Sequence, residues 1–251
     1  MVNTMMILIY KIYEILLAKK LQRNVIPKHV AFIPDSKCRS YADSSLYKVY
    51  DTAVKKLFEV VDWCFKLGID IVSVFVLPLR DLQRPVDELE VLYKVMRKYV
   101  NRLYREALER NFRVNILSLS KALPRDIREF LIKIEKETHG NKHLLNLAIA
   151  YDGRAEIVMA AQAMTKDILT GKLSFHHLNE RVFEGYLLLR DIPYPDLVIK
   201  TGGTTHIDGF LLWYVAYSEL FFTNTCWLNF SKVDLLKALL NYQKRQRRYG
   251  A

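Results

Sequence analysis

The chain has 251 residues, 51% hydrophobic and 26% charged, enough apolar material for one sizeable core and no composition that would leave it disordered. Its net charge of +11, from 38 Lys and Arg against 27 Asp and Glu, favours anionic partners: nucleic acid, lipid headgroups or phosphorylated small molecules. No zinc-ligand spacing or nucleic-acid motif stands out, and the widely separated Cys38, Cys64 and Cys226 read as free thiols in a reducing compartment.

The first apolar run, residues 5–10, is too short to cross a bilayer, and no small-residue cleavage site follows it. Leu8, Tyr13, Leu16, Leu17 and Leu21 fall near helical spacing, followed by Lys19, Lys20 and Arg23. Two readings are open: an amphipathic helix lying on a membrane surface, or a helix packed on its own domain or on a partner. Residues 29–33 (HVAFI) predict a buried strand, and 44–66 a helix with Val54, Leu57, Phe58, Val61 and Phe65 on one side, stopped by Gly68. Residues 69–77 (IDIVSVFVL) predict a second buried strand, 86–110 a long charged helix, 113–119 a third strand and 124–137 a helix opened by Pro124. Strands follow at 144–151, 196–201 and 220–223, with helices at 153–165, 178–188 and 232–248.

Strands apolar without alternation are buried on both faces, and helices join them. The pattern therefore predicts an α/β fold with a parallel sheet covered on both sides. No repeat or linker divides the chain, so residues 27–251 read as one domain preceded by an N-terminal helix within 1–26. In such folds ligands bind beyond the carboxyl ends of the strands, which groups the loops after Ile33, Leu77 and Lys200 as candidate site walls.

Several stretches, in order from residue 27 to the C-terminus, resemble the cis-prenyltransferases. Residues 27–35 (PKHVAFIPD) are similar to the family's opening strand and aspartate (PxHVAxIMDGN), and Trp63, Cys64, Gly68 and Ile69 to its WCxxxGI. Gln83-Arg84-Pro85 resembles the end of SxENWxRP, 151–157 (YDGRAEI) resembles YGGRxEI, and 195–203 (PDLVIKTGG) resembles PDLxIRTGG. Phe210 to Trp213 with 216–220 (AYSEL), and 247–250 (RRYG), resemble FLLWQxAYSEL and RRFG. The resemblance implies a six-stranded sheet, a hydrophobic tunnel and a dimer. It also implies a Mg²⁺-dependent reaction joining an allylic prenyl diphosphate to isopentenyl diphosphate, with diphosphate as leaving group.

The resemblance places Asp35 as the catalytic, Mg²⁺-binding aspartate; the residue type alone is equally at home in a turn beside Pro34. It places Arg39 and Arg84 against the allylic diphosphate, where a planar guanidinium binds phosphate bidentately. Glu219, in an apolar stretch that demands a partner or a metal, is implied as a second Mg²⁺ ligand. Arg248 and Gly250 are implied to reach a partner subunit's site.

The phosphate loops depart from the family pattern. Ser36-Lys37 stand for Gly-Asn, Val49-Tyr50 for Gly-His, Leu46 near an absent arginine, and residues 78–82 (PLRDL) for Ser-x-Glu-Asn-Trp. In the segment resembling the isopentenyl diphosphate clamp, Lys200 and His206 replace arginines, Thr204 replaces glutamate and Asp208 replaces serine. Lys200 keeps a charge without the bidentate fork, His206 is mostly neutral near pH 7, and Asp208 is expected to repel a diphosphate that no metal bridges. The leading expectation is an active cis-prenyltransferase, with the acceptor open to change. The alternative is a non-catalytic accessory subunit of a heteromeric enzyme. A nucleic-acid-binding role rests on charge alone and is set aside. The partners expected are the two diphosphates, a homologous subunit in a homodimer or heterodimer, and the membrane surface, for a cytoplasmic protein in peripheral membrane contact.

Overall fold

The computed structural model describes residues 2–22, 25–35, 44–119 and 122–245. Its strands are β1 (His29–Ile33), β2 (Ile71–Pro78), β3 (Phe112–Leu117), β4 (His143–Tyr151), β5 (Leu197–Lys200) and β6 (Glu219–Phe222). They form one six-stranded sheet in the order β3-β4-β2-β1-β5-β6, every neighbouring pair parallel. All five residues of β1 are buried, as a central strand covered on both faces requires.

Successive side chains alternate between two cores. Val30, Phe32, Val72 and Val74 face α2 (Leu46–Leu67), α3 (Val86–Glu109), α4 (Arg125–Glu137) and α7 (Lys232–Lys244), which contribute residues such as Leu57, Val95, Ile127 and Leu235. Ala31, Ile33, Phe75 and Ala148 face the other way, toward Ala160 of α5 (Gly153–Leu169) and toward Leu187, Leu189, Phe210 and Tyr214. The helix ends follow their capping residues. Ser45 caps α2, the left-handed Gly68 closes it, Asp152 accepts from the Arg154 and Ala155 N–H groups at the start of α5, and Ser231 with Asp234 forms a capping box on α7.

At the amino end of the sheet a polar ladder crosses four strands. His29 bonds the Pro193 carbonyl through Nδ1 (2.6 Å), so that nitrogen carries the proton and Nε2 accepts from Ser73 Oγ (2.7 Å). Ser73 Oγ in turn accepts from Asn146 Nδ2 (2.9 Å), whose carbonyl accepts from Asn115 (2.9 Å). Burial lowers the His29 pKa to about 4, outweighing the Pro193 bond and the nearby Asp196, which raise it.

One region differs from the sequence reading, and one settles between readings left open there. The helix expected over 178–188 is only α6 (Glu180–Glu184), followed by turns. Tertiary bonds take its backbone: the Leu188 N–H donates to Glu156 (2.8 Å) and the Leu189 N–H to the Tyr214 hydroxyl (3.0 Å). The N-terminal helix is α1 (Val2–Lys20), and it packs on α7 through Leu17 and Leu21 against Val233, Leu236 and Leu240. Tyr10 donates to Ser231 Oγ (2.6 Å) and Glu14 pairs with Lys232 (2.7 Å) on that side, while Ile9, Ile12, Ile15 and Leu16 stand exposed.

Candidate active site

The chain leaves β1 toward α2 on one face of the sheet, whereas the segment after β5 crosses to the other face, where Phe210 and Tyr214 are buried. Divergence of loops from adjacent strands opens a crevice at their carboxyl ends. Asp35 sits in that crevice. Its N–H donates to Thr201 Oγ1 (2.8 Å) and its carbonyl accepts from the Trp227 N–H (2.9 Å), so three segments hold it. Gly202 has φ +86, and a Cβ there would lie 2.5 Å from the Asp35 Cβ. Only glycine accommodates both the left-handed backbone and that approach.

Asp35 borders a cavity of about 1120 Å³ between the sheet, α2 and α3. Its interior is apolar, from Val54 and Leu57 on α2, Leu92 and Met96 on α3, and Val74 and Trp227. The volume lies just above the range usual for small-molecule sites, roughly 300–1,000 Å³, which suits a long hydrocarbon. The polar groups are Asp35, Arg80, Asp81, Arg84, Glu88, Lys200, Thr204, His206 and Asp208.

Arg84 lies just after a 3-10 turn (Leu79–Gln83), with Pro85 opening α3 behind it. Its guanidinium donates to the Tyr50 hydroxyl (2.6 Å) and to Asp81 (2.6 Å). Tyr50 therefore does the aiming at the place where the family pattern has histidine. Lys200, only 4% exposed, ends β5 and donates from Nζ to Asp208 (2.7 Å). Asp208 also takes Arg80 (3.0 Å) and His206 (3.1 Å). Burial raises the Asp208 pKa, but the bonds from Lys200 and Arg80 outweigh it and hold the carboxyl below the usual range. Ion pairs with Lys200 and Arg80 thus offset the charge of Asp208, against which the expected repulsion has to be weighed. Asp208 itself has φ +53, a left-handed conformation that aspartate tolerates better than most residues.

Of the residues singled out in the sequence, Asp35, Arg84, Lys200 and His206 are brought to one cavity. Arg39, Arg248 and Gly250 lie outside the described residues. Glu219 is not at the cavity: it opens β6 beside Leu197, at the amino end of a parallel pair whose carboxyl end carries Lys200, and it is ion-paired with Arg245. Cys64 is a free, buried thiol, whereas Cys226 is disulfide-bonded, which corrects the expectation of free thiols throughout. Thr201, Gly202, Arg80 and Trp227 were not legible as site residues. The Gly202-Gly203 pair at a strand end was the one available signal.

Among the described residues no cluster of three or more His, Cys, Asp or Glu could hold a metal ion by itself. Mg²⁺ commonly binds one or two carboxylates and completes its shell with water and substrate phosphates. Asp35 fits that use. Thr204 Oγ1 is buried at the cavity with no hydrogen-bond partner, as a hydroxyl waiting for an oxyanion would be.

A parallel α/β sheet with a large cavity at its carboxyl end, apolar inside and lined by Arg80, Arg84 and Lys200 among four carboxylates, is the class of protein the fold and site define. Comparison with known proteins makes this specific. The prenyltransferase family model, described as undecaprenyl diphosphate synthase, matches residues 39–250. A tritrans,polycis-undecaprenyl-diphosphate synthase (geranylgeranyl-diphosphate specific) from Pyrococcus furiosus is 37% identical over 246 residues, 96% of this chain and 93% of that protein. One of the same description from Methanopyrus kandleri is 35% identical, over 96% of this chain and 91% of that protein. Lavandulyl diphosphate synthase from Lavandula x intermedia, solved with dimethylallyl diphosphate, superposes with a TM-score of 0.85 at 27% identity, over 91% of this chain and 100% of that one. The chain belongs to the cis-prenyltransferase family.

Proposed function

We propose that the protein lengthens geranylgeranyl diphosphate, or an allylic diphosphate like it, by successive additions of isopentenyl diphosphate to give a long polyprenyl diphosphate. The observation that carries this reading is that Asp35, Arg84 and Lys200 line one cavity of about 1120 Å³ whose interior is apolar. The two cations, on different loops, suit two diphosphates, and the apolar interior suits the growing chain. The relatives named as geranylgeranyl-specific synthases support the allylic substrate, and they favour catalysis over an accessory role.

In each addition the allylic C1–O bond breaks, C1 bonds to the terminal alkene carbon of isopentenyl diphosphate, and the positive charge left on the internal alkene carbon is relieved by loss of a proton from the CH2 between it and the carbon that bears the diphosphate. The products are inorganic diphosphate and an allylic diphosphate five carbons longer. Arg84, aimed by Tyr50 and Asp81, holds the leaving diphosphate where its charge develops. Lys200 anchors the second diphosphate. Asp35, with phosphate oxygens, would hold Mg²⁺, which neutralises the leaving group when bound. Glu219 would join a metal site only across a second subunit. The resemblance-based roles of Arg39, Arg248 and Gly250 are retained as part of this proposal, the last two acting in a partner's site. A dimer agrees with the exposed apolar residues Val158, Met159 and Leu169 on α5, and a sedimentation mass near 29.5 kDa would rule it out.

No described helix is long and apolar enough to cross a membrane. The bare stripe Ile9, Ile12, Ile15 and Leu16 on α1, beside Lys11, Lys19 and Lys20, suits peripheral contact with an anionic bilayer, into which a long prenyl product partitions.

The test of the activity is incubation of the purified protein alone with Mg²⁺, geranylgeranyl diphosphate and labelled isopentenyl diphosphate. Time-dependent label in extractable lipid, abolished by Asp35→Ala, is expected. Folded protein that incorporates nothing beside a working control enzyme would overturn it.

A further inference from the structure

The cavity's charged groups form an alternating line. Arg84 bonds Asp81 (2.6 Å), Asp81 lies 4.0 Å from Arg80, Arg80 bonds Asp208 (3.0 Å), and Asp208 bonds Lys200 (2.7 Å). Arg80 is its middle member and differs from the other two cations. Arg84 is spent on the Tyr50 hydroxyl and Asp81, and Lys200 is almost wholly enclosed. The Arg80 head is 66% exposed and its one short bond is the Nη2 contact with Asp208. A guanidinium carries five N–H donors, so most of its donors remain available to an oxyanion.

Reaching Asp208 brings Arg80 across from the turn after β2 to the segment after β5, beside Lys200 and the unsatisfied Thr204 hydroxyl. The two positions also depart from the family pattern together: Arg80 stands where the pattern has glutamate, and Asp208 where it has serine. A positive charge absent from the segment after β5, where His206 replaces arginine, has an equivalent on the facing turn.

We infer that Arg80 is a binding residue for the diphosphate of isopentenyl diphosphate, and that Asp208 is the positioning residue that holds Arg80 and Lys200 at a common anion site. The inference rests on the proposed function for the identity of that substrate. A phosphate oxygen is a better partner for the exposed guanidinium than water, because a fork of parallel N–H groups matches it. Asp208 does not contest the ligand; it fixes the two donors in register, with its own charge already balanced. Asp81 and Asp208 are each engaged by a cation of the line, Asp81 by Arg84 and Asp208 by Lys200 and Arg80, so the exposed donors of Arg80 face the cavity beside carboxylates already ion-paired.

The experiment is isothermal titration of the full chain with isopentenyl diphosphate and, separately, with geranylgeranyl diphosphate. Arg80→Gln is expected to weaken isopentenyl diphosphate about tenfold and geranylgeranyl diphosphate less than twofold, as befits loss of one charge-assisted pair at a partly exposed head. Unchanged affinity for isopentenyl diphosphate, or equal weakening of both ligands, overturns the assignment of Arg80. Asp208→Asn tests positioning by sign. Removing a negative charge that merely repelled the ligand would tighten binding, whereas removing the residue that aligns two donors weakens it about threefold or more. Tightening overturns the positioning role. Because binding is read without turnover, a wild-type chain that binds isopentenyl diphosphate but incorporates none of it refutes the proposed activity and leaves the Arg80 site standing. A wild-type chain that does not bind it refutes both.

Discussion

At the residue scale, the site depends on a glycine as much as on a carboxylate. Asp35 is fixed by backbone contacts with Thr201 and Trp227, and Gly202 makes the space its side chain occupies. Gly202→Ala would place a Cβ 2.5 Å from the Asp35 Cβ and force an L-residue to φ +86. The backbone conformation alone costs about 1–2 kcal/mol. We expect Gly202→Ala to lower kcat roughly a hundredfold or more, approaching the Asp35→Ala value, while the circular dichroism spectrum stays native. Activity within threefold of wild type would show that Asp35 does not need its observed place. Asp208 carries a similar lesson: its identity suggested repulsion, and its two cationic partners, Arg80 and Lys200, offset it.

At the scale of elements, the sheet carries a pH dependence unrelated to catalysis. His29 is fully buried, neutral, and bonded at both nitrogens across β1, β2 and the Pro193 carbonyl. Its pKa falls from 6.5 in the unfolded chain to about 4 in the folded one. Between those values the unfolded state binds the extra proton, so His29 lets stability rise with pH from 4 to 6.5 and takes it away as pH falls through that window. Saturated, the contribution is about 3 kcal/mol at about 1.4 kcal/mol per pKa unit. Urea unfolding of wild type and His29→Asn from pH 7 to pH 4 checks this. The variant is expected to be less stable at pH 7 and to show a flatter decline, and parallel declines would remove His29 as the cause. Elsewhere the elements behave as their own residues dictate: Gly68 ends α2, and the Ser231 capping box starts α7.

At the scale of the whole molecule, α1 joins two environments. One side is stitched to α7 by Leu17, Tyr10 and Glu14, and the other presents Ile9, Ile12, Ile15 and Leu16 to solvent. A helix apolar on both sides needs cover on both. The two readings of this segment available from the sequence are therefore compatible: intramolecular packing holds the helix in place and leaves an apolar stripe free for the lipid contact proposed above. Burying one such side chain contributes about 1.5–3 kcal/mol. In co-sedimentation with vesicles containing anionic lipid, Ile12→Asp is expected to lose at least tenfold in partitioning while the soluble assay is unaffected. Equal partitioning of variant and wild type would rule out this face as the contact.

The alternation of apolar runs and helical spacing was enough to give the α/β class and a sheet buried on both faces, because continuous burial of strands such as residues 29–33 leaves its mark in composition. The ordered motifs were enough for the family, and they singled out Asp35, Arg84, Lys200 and His206, which line one cavity. The helix over 178–188 failed because the Glu156 carboxylate and the Tyr214 hydroxyl claim the N–H groups a helix would use, and those partners lie 32 and 25 residues away in the chain. Arg80 was legible as a departure but not as a contributor, since its bond to Asp208 spans 128 residues. Glu219 was singled out by motif, yet it stands at the amino end of its strand, away from the cavity and beside Arg245. Local sequence determined which elements form, through periodicity and capping. The tertiary structure alone decided which charges meet, because electrostatic pairing depends on distance in space, and the pattern of residues along the chain carries no measure of it.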